Sequence, residues 1–242
     1  METYTHKPAC GYVTSDLHVF GCSSLYEKLL PIFYEQVTRH PVIVLNGDTF
    51  DFKRSRFTSS LETTKHAIAW LQDLSRLASS SSIFYILGNH DCHETFVQAL
   101  HTALPTLPNV TIVPEHLRLG SCLFIHGDAI DLAQNVADIT YVRSKYNKAE
   151  PRWGAKAFAN LVTHMGLNKV EYLRHSRAVL ARRILSYLRI TQPSALEGVR
   201  QIYFGHTHVP IDHFEYAGII FYNTGSMIRG LPWRPMEFSG EY

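Results

Sequence analysis

The chain is poor in cysteine, and the four it has follow no pattern. Cys10, Cys22, Cys92 and Cys122 form no C-x-x-C pair, which argues against a zinc ribbon or a disulfide-stapled secreted scaffold and fits a reducing cytoplasm. Long apolar runs are missing too, since nothing approaches the roughly 20 residues needed to span a bilayer. The first thirteen residues hold Glu2, His6, Lys7 and Pro8 where a signal peptide needs an apolar stretch. Any membrane contact is therefore expected to be peripheral. No internal repeat or low-complexity segment is visible. Net charge is small, +2 over 242 residues, and with 45% hydrophobic and 18% charged residues the chain is neither disordered nor fibrous. It is long enough for one large core.

The small net charge hides an uneven distribution. Residues 141–189 carry eleven Lys or Arg against two acids, Glu150 and Glu171, a net of +9; the remainder has twelve basic and nineteen acidic residues, a net of −7. A basic block on an acidic body points to an anionic partner such as a phosphate ester, nucleic acid or lipid surface, although a solvated helical face has the same composition.

Short apolar runs rich in β-branched and aromatic residues predict strands at 10–14, 42–45, 83–87, 110–113, 117–125, 199–204 and 219–222. Helical spacing lies between the early ones, as in Leu25, Leu29, Ile32 and Phe33, and in Leu61, Ile68, Leu71, Leu74 and Leu77. This alternation predicts an α/β body. From 132 to 198 it breaks. Ala155, Phe158, Ala159, Val162 and Met165 form one apolar stripe and Val170, Leu173, Leu180, Ile184 and Leu188 another, with arginines between. The expectation is a single domain over 1–242 with a helical cap inserted at 132–198.

Nearly every predicted strand ends in residues that bind divalent metals: Asp16-Leu17-His18, Gly47-Asp48, Gly88-Asn89-His90-Asp91, His126-Gly127-Asp128 and Gly205-His206-Thr207-His208. Carboxylate and imidazole together suit Mn, Fe, Zn and similar ions, and open α/β sheets gather ligands where strands end. Each fragment alone is commonly a loop; the coincidence of five carries the signal. The glycines before Asp48, Asn89 and His206 are expected to let the backbone turn sharply.

This ordered set resembles the signature of the calcineurin-like metallophosphoesterases, D-x-H, G-D, G-N-H-D/E, H and G-H-x-H, over residues 12–226, including the turn Asn223-Thr224-Gly225-Ser226. The resemblance implies a sandwich of two mixed β-sheets flanked by helices (αββα). It implies two divalent ions, Mn(II) foremost with Fe or Zn compatible: Asp16, His18 and His208 on one, Asn89, His126 and His206 on the other, and Asp48 bridging. Two cations about 3.5 to 4 Å apart activate a shared water and neutralise phosphate oxygens during in-line attack. His90, directly after Asn89, is read as a catalytic residue rather than a ligand. It would hydrogen-bond the phosphate alongside Asn89 and assist the leaving oxygen, with Asp91 orienting or charging its ring. Asp51 and Asp128 are candidates for orienting ligating histidines or for capping turns. The other histidines and the tryptophans are read as packing or surface residues, and Cys122 as core.

The segment Asp131, Asp138, Tyr141-Val142-Arg143 and the arginine-rich helices beyond resemble the cap of the UDP-2,3-diacylglucosamine pyrophosphatases of lipid A synthesis, which act at the inner membrane face. A departure stands at His90, where that group typically has arginine. By this resemblance the substrate is a lipid-linked nucleotide. Arg174, Arg177, Arg182 and Arg183 would hold its phosphates, the apolar stripe its acyl chains, and the same cations would favour an acidic membrane. A phosphodiesterase, phosphomonoesterase or nuclease on another substrate is the alternative, and a non-catalytic scaffold a further one.

Overall fold

The strand-forming runs assemble because each offers one side of its pleat to a helix layer and the other to a second sheet. The structure, a computed structural model, describes residues 9–132, 138–151 and 176–240. β1 (Ala9–Thr14), β2 (Val42–Asn46), β3 (Ser82–Ile86) and β4 (Val110–Val113) lie parallel, linked through α1 (Tyr26–Arg39), α2 (Ser60–Leu77) and α3 (Glu94–Ala103). The second sheet has the order β5 (His116–Leu119), β6 (Cys122–Ile125), β7 (Gln201–Phe204), β9 (Ile219–Asn223), β8 (Ile211–Tyr216). Its three central strands are parallel and its two edges antiparallel. β10 (Met236–Gly240) returns to the first sheet, antiparallel to β1.

Alternation along each strand divides the apolar residues between faces. Tyr12, Ile43, Leu45, Ile83 and Tyr85 pack against Phe33, Val37, Trp70 and Phe96 of the helices, whereas Val13, Val44 and Ile86 meet Leu117, Phe124 and Tyr203 of the second sheet. The outer face of that second sheet, with Leu123, Ile125, Ile202 and Phe204, is covered by α5 (Arg177–Thr191). The layers run helix, sheet, sheet, helix, as the resemblance implied.

Two expectations need correction. The run 117–125 is two antiparallel strands, because Gly120 turns the chain at φ 58°. The apolar stripe on α5 is not free to hold acyl chains: Leu180, Ile184 and Leu188 are 3%, 0% and 0% exposed within the core beside the second sheet. Each is worth roughly 1.5–3 kcal/mol by burial. The earlier stripe at 155–165, with Val170, Leu173 and Arg174, lies outside the described residues. α4 (Ile139–Arg143) is capped by Asp138, whose carboxylate accepts from the Thr140 amide at 2.8 Å. Among the described residues no helix is long and apolar enough to cross a membrane.

Candidate metal centre

Five parallel strands deliver the donor residues from their C-terminal ends, where open α/β sheets place ligands. Asp16 and His18 follow β1, Asp48 follows β2, Asn89 and His90 follow β3, His126 follows β6, and His206 and His208 follow β7. The loops hold unusual backbone. Asp16, His18, Asp48, His206 and His208 all have positive φ, between 46° and 66°, a conformation that costs side-chain-bearing residues of order 1 kcal/mol or more and clusters at functional sites. The turn after β9 braces two of these loops. Ser226 Oγ donates to the Asp16 carbonyl at 3.0 Å, and Asn223 Nδ2 donates to the Gly205 carbonyl at 3.0 Å.

The expected role of the glycines is corrected in part. Gly47 does adopt positive φ, 81°, but Gly88 and Gly205 do not. They are needed for space: a Cβ on Gly88 would lie 2.3 Å from Asp48 Oδ1, and one on Gly205 would lie 2.4 Å from Asp16 Oδ2. Each glycine precedes one donor and makes room for another.

Two groups of donors share one carboxylate. In the first, His208 Nε2 lies 3.3 Å from Asp16 Oδ1 and 3.2 Å from His18 Nε2, which is 4.0 Å from Asp48 Oδ2. In the second, His126 Nε2 is 3.3 Å from Asp48 Oδ1 and 3.2 Å from Asn89 Oδ1, which is 2.9 Å from His206 Nδ1. The two oxygens of Asp48 thus face different groups. Each group can present its donors to one cation. Bonds of about 2.0–2.2 Å set neighbouring donors roughly 3 to 3.5 Å apart, and most of these separations fall there.

The electrostatics also fit cations. Burial would raise Asp48, but the charges of His126, His90 and His18 hold it well below the usual carboxylate range. Asp51 is lowered against burial in the same way by His90 and His18. Burial would lower His126, yet Asp48 drives it up to about 10. These buried carboxylates draw on positive charge at neighbouring imidazoles, His126 and His90 being raised while burial lowers His18; divalent ions would meet the same demand and leave the imidazoles free to ligate.

His90 stands beside the donors, as expected, but its partner is different. Its Nδ1 is 2.9 Å from Asp51 Oδ1, its amide donates to Asp48 Oδ1 at 2.7 Å, and its ring meets His18 edge-on and Tyr146 at 5.0 Å. Burial would lower His90, and Asp51 and Asp48 reverse that and raise it. Asp91, expected to orient this ring, turns away. Its carboxylate accepts from the Thr49 amide at 2.8 Å, the Tyr85 hydroxyl at 2.7 Å and the Gly88 amide at 2.6 Å, so it shapes the turn. Asp51 both orients histidines and caps a turn, accepting from the Arg54 amide at 2.8 Å. Asp128 pairs with Arg143 at 2.8 Å. Of the arginines assigned to substrate, Arg177 and Arg182 are exposed on α5, while Arg183 Nη1 donates to the Ile130 carbonyl at 2.9 Å. The sequence reading missed the contact of Asp131 Oδ2 with His206 Nε2, at 3.0 Å; its signal was an acid five residues beyond His126 in a short turn.

Paired donor groups at the strand ends of an αββα sandwich define a metal-centred α/β protein. The family model of the calcineurin-like phosphoesterases matches residues 12–210, and the chain belongs to that family of phosphoester hydrolases. No curated protein matches the chain. Among solved structures it is similar to a dimetal phosphatase from Danio rerio, at 11% identity over 92% of this chain and 89% of that one, with a TM-score of 0.49.

Proposed function

We propose that the chain hydrolyses a phosphoester or pyrophosphate with two divalent ions. Asp16, His18 and His208 hold one, Asn89, His126 and His206 the other, and Asp48 joins them. The observation that carries this reading is the split of Asp48, one oxygen towards each donor group. When bound, such ions neutralise phosphate oxygens and lower the pKa of a water. The protein's own part falls to His90: Asp51 accepts a hydrogen bond from its Nδ1–H and favours the charged ring, so that Nε2–H can donate its proton to the departing oxygen. Mn(II) is the ion proposed, with Fe and Zn accommodated by the same donors. The test is chelation followed by metal return, reading metal content and hydrolysis of a chromogenic diester. Two ions per chain with recovered turnover are expected; full turnover in stripped protein would overturn the assignment.

The finer substrate, a lipid-linked nucleotide such as UDP-2,3-diacylglucosamine, is supported by the exposed cations Arg177 and Arg182 on α5. The apolar half of that reading gets no support from α5, whose stripe is spent on the core. Replacing both arginines with Ala should lower turnover of the lipid-linked nucleotide and spare the chromogenic diester. Equal rates on both substrates would remove the lipid and leave the hydrolase.

A further inference from the structure

We propose that Asp131 is the positioning residue for His206, and that the turn carrying it governs occupancy of the second ion position. This rests on the two-ion reading above. A neutral imidazole carries one proton, and a carboxylate only accepts. With Asp131 Oδ2 3.0 Å from Nε2, the single proton of a ligating, neutral His206 belongs on that nitrogen, so Nδ1, 2.9 Å from Asn89 Oδ1, would turn its lone pair to the ion that the two donors share. Fixing the tautomer in this way raises the ligand's basicity and holds its ring.

Two of the other ligating rings have their second nitrogen turned to the interior. The Nδ1 of His126 faces the Asn46 carbonyl at 3.2 Å, and the Nδ1 of His18 faces Asp51 at 3.5 Å, both inside the protein. The Asp131 side chain is 54% exposed, and it brings its carboxylate from a 3-10 turn, Asp128–Asp131. Two arginines of the basic segment secure that turn. Arg183 binds the Ile130 carbonyl, and Arg143 Nε binds Asp128 Oδ2. Arg143 also donates to the Leu87 carbonyl at 2.8 Å, two residues before Asn89. One guanidinium therefore couples the approach to Asn89 with the turn that sets His206, two donors of a single ion. Much of what reads in sequence as a substrate-binding charge at Arg183 is used to hold this turn.

The experiment is a Mn(II) titration of the stripped full-length chain, with ions per chain measured by elemental analysis. In Asp131→Asn, one ion should bind as in the unmodified chain and the second about 10- to 100-fold more weakly, the usual scale for such outer partners. Asp131→Glu should recover part of that affinity, and Arg183→Met should weaken the second ion by less than Asp131→Asn. The melting temperature of stripped Asp131→Asn should match that of the stripped parent. Two ions at parental affinity in Asp131→Asn would overturn the proposal. Should Asp131→Asn fail to fold, unchanged second-ion affinity in Arg183→Met would overturn it instead. If the parent itself binds fewer than two ions, the two-ion reading falls first and this one with it.

Discussion

The two sheets bring different chemistry to the same cleft. The first contributes both carboxylates, the amide of Asn89 and a single ligating imidazole, from loops after three consecutive parallel strands. The second contributes three imidazoles, His126, His206 and His208, and among those ligand positions no acid. Neither sheet alone holds a complete donor set for either ion. The anionic half arrives on the sheet backed by α1, α2 and α3, the neutral half on the sheet backed by α5. The lesson is that the ions would act as cross-links between sheets that otherwise meet through apolar contacts such as Val44 and Phe124.

The strongest way to break this division is Asp48→Ala, because that carboxylate alone addresses both groups. Loss of both ions and a fall of turnover to background are expected, read by elemental analysis and diester hydrolysis. Chelation should come next in effect. An ion present at 1,000 times its dissociation constant adds about 4 kcal/mol to folding stability, so stripping both should lower the melting temperature by roughly 20 °C for a chain of this size. A melting temperature insensitive to metal would mean that the sheets are joined without it. His90→Ala sharpens the contrast between holding ions and using them: two ions retained, and a rate lower by about 10²- to 10⁴-fold.

The smallest effect concerns a tie on the first sheet's side. Glu150 accepts from the Ser60 amide at 2.9 Å and from the Ser60 hydroxyl at the start of α2. Slight burial would raise its carboxyl, but these two donors hold it below the usual value of 4.5. A depressed carboxyl stabilises above its unfolded value and loses that contribution as pH falls through the folded one. Glu150 is largely exposed and solvent screens the tie, so Glu150→Gln should cost no more than about 0.5 kcal/mol near neutrality, and the gap between the two melting curves should close below pH 4.5.

Much of the site was legible because its donors are tied to short motifs at strand ends, so that reading Gly47-Asp48 or Gly205-His206-Thr207-His208 needs no tertiary knowledge. What was illegible depended on partners distant in sequence. Asp91 follows His90 directly, yet the ring turns to Asp51, 39 positions away. The arginines of the basic segment look alike in sequence, but Arg143 and Arg183 are engaged with backbone carbonyls while Arg177 and Arg182 are exposed. Among strands, β8 and β10 escaped detection because they sit at sheet edges, where polar side chains such as Asp212, Glu215 and Glu237 interrupt the apolar run. The stripe on α5 was visible, but a stripe shows only that something is covered, and here that is the second sheet.

The left-handed backbone at Asp16, His18, Asp48, His206 and His208 has an evolutionary meaning. Glycine would fit all five positions with less strain, and asparagine enters that region more readily than histidine. A lineage released from hydrolysis would find replacements there that favour the fold, so neutral drift should erode these positions early. The five torsion angles mark where backbone comfort is given up to aim a donor.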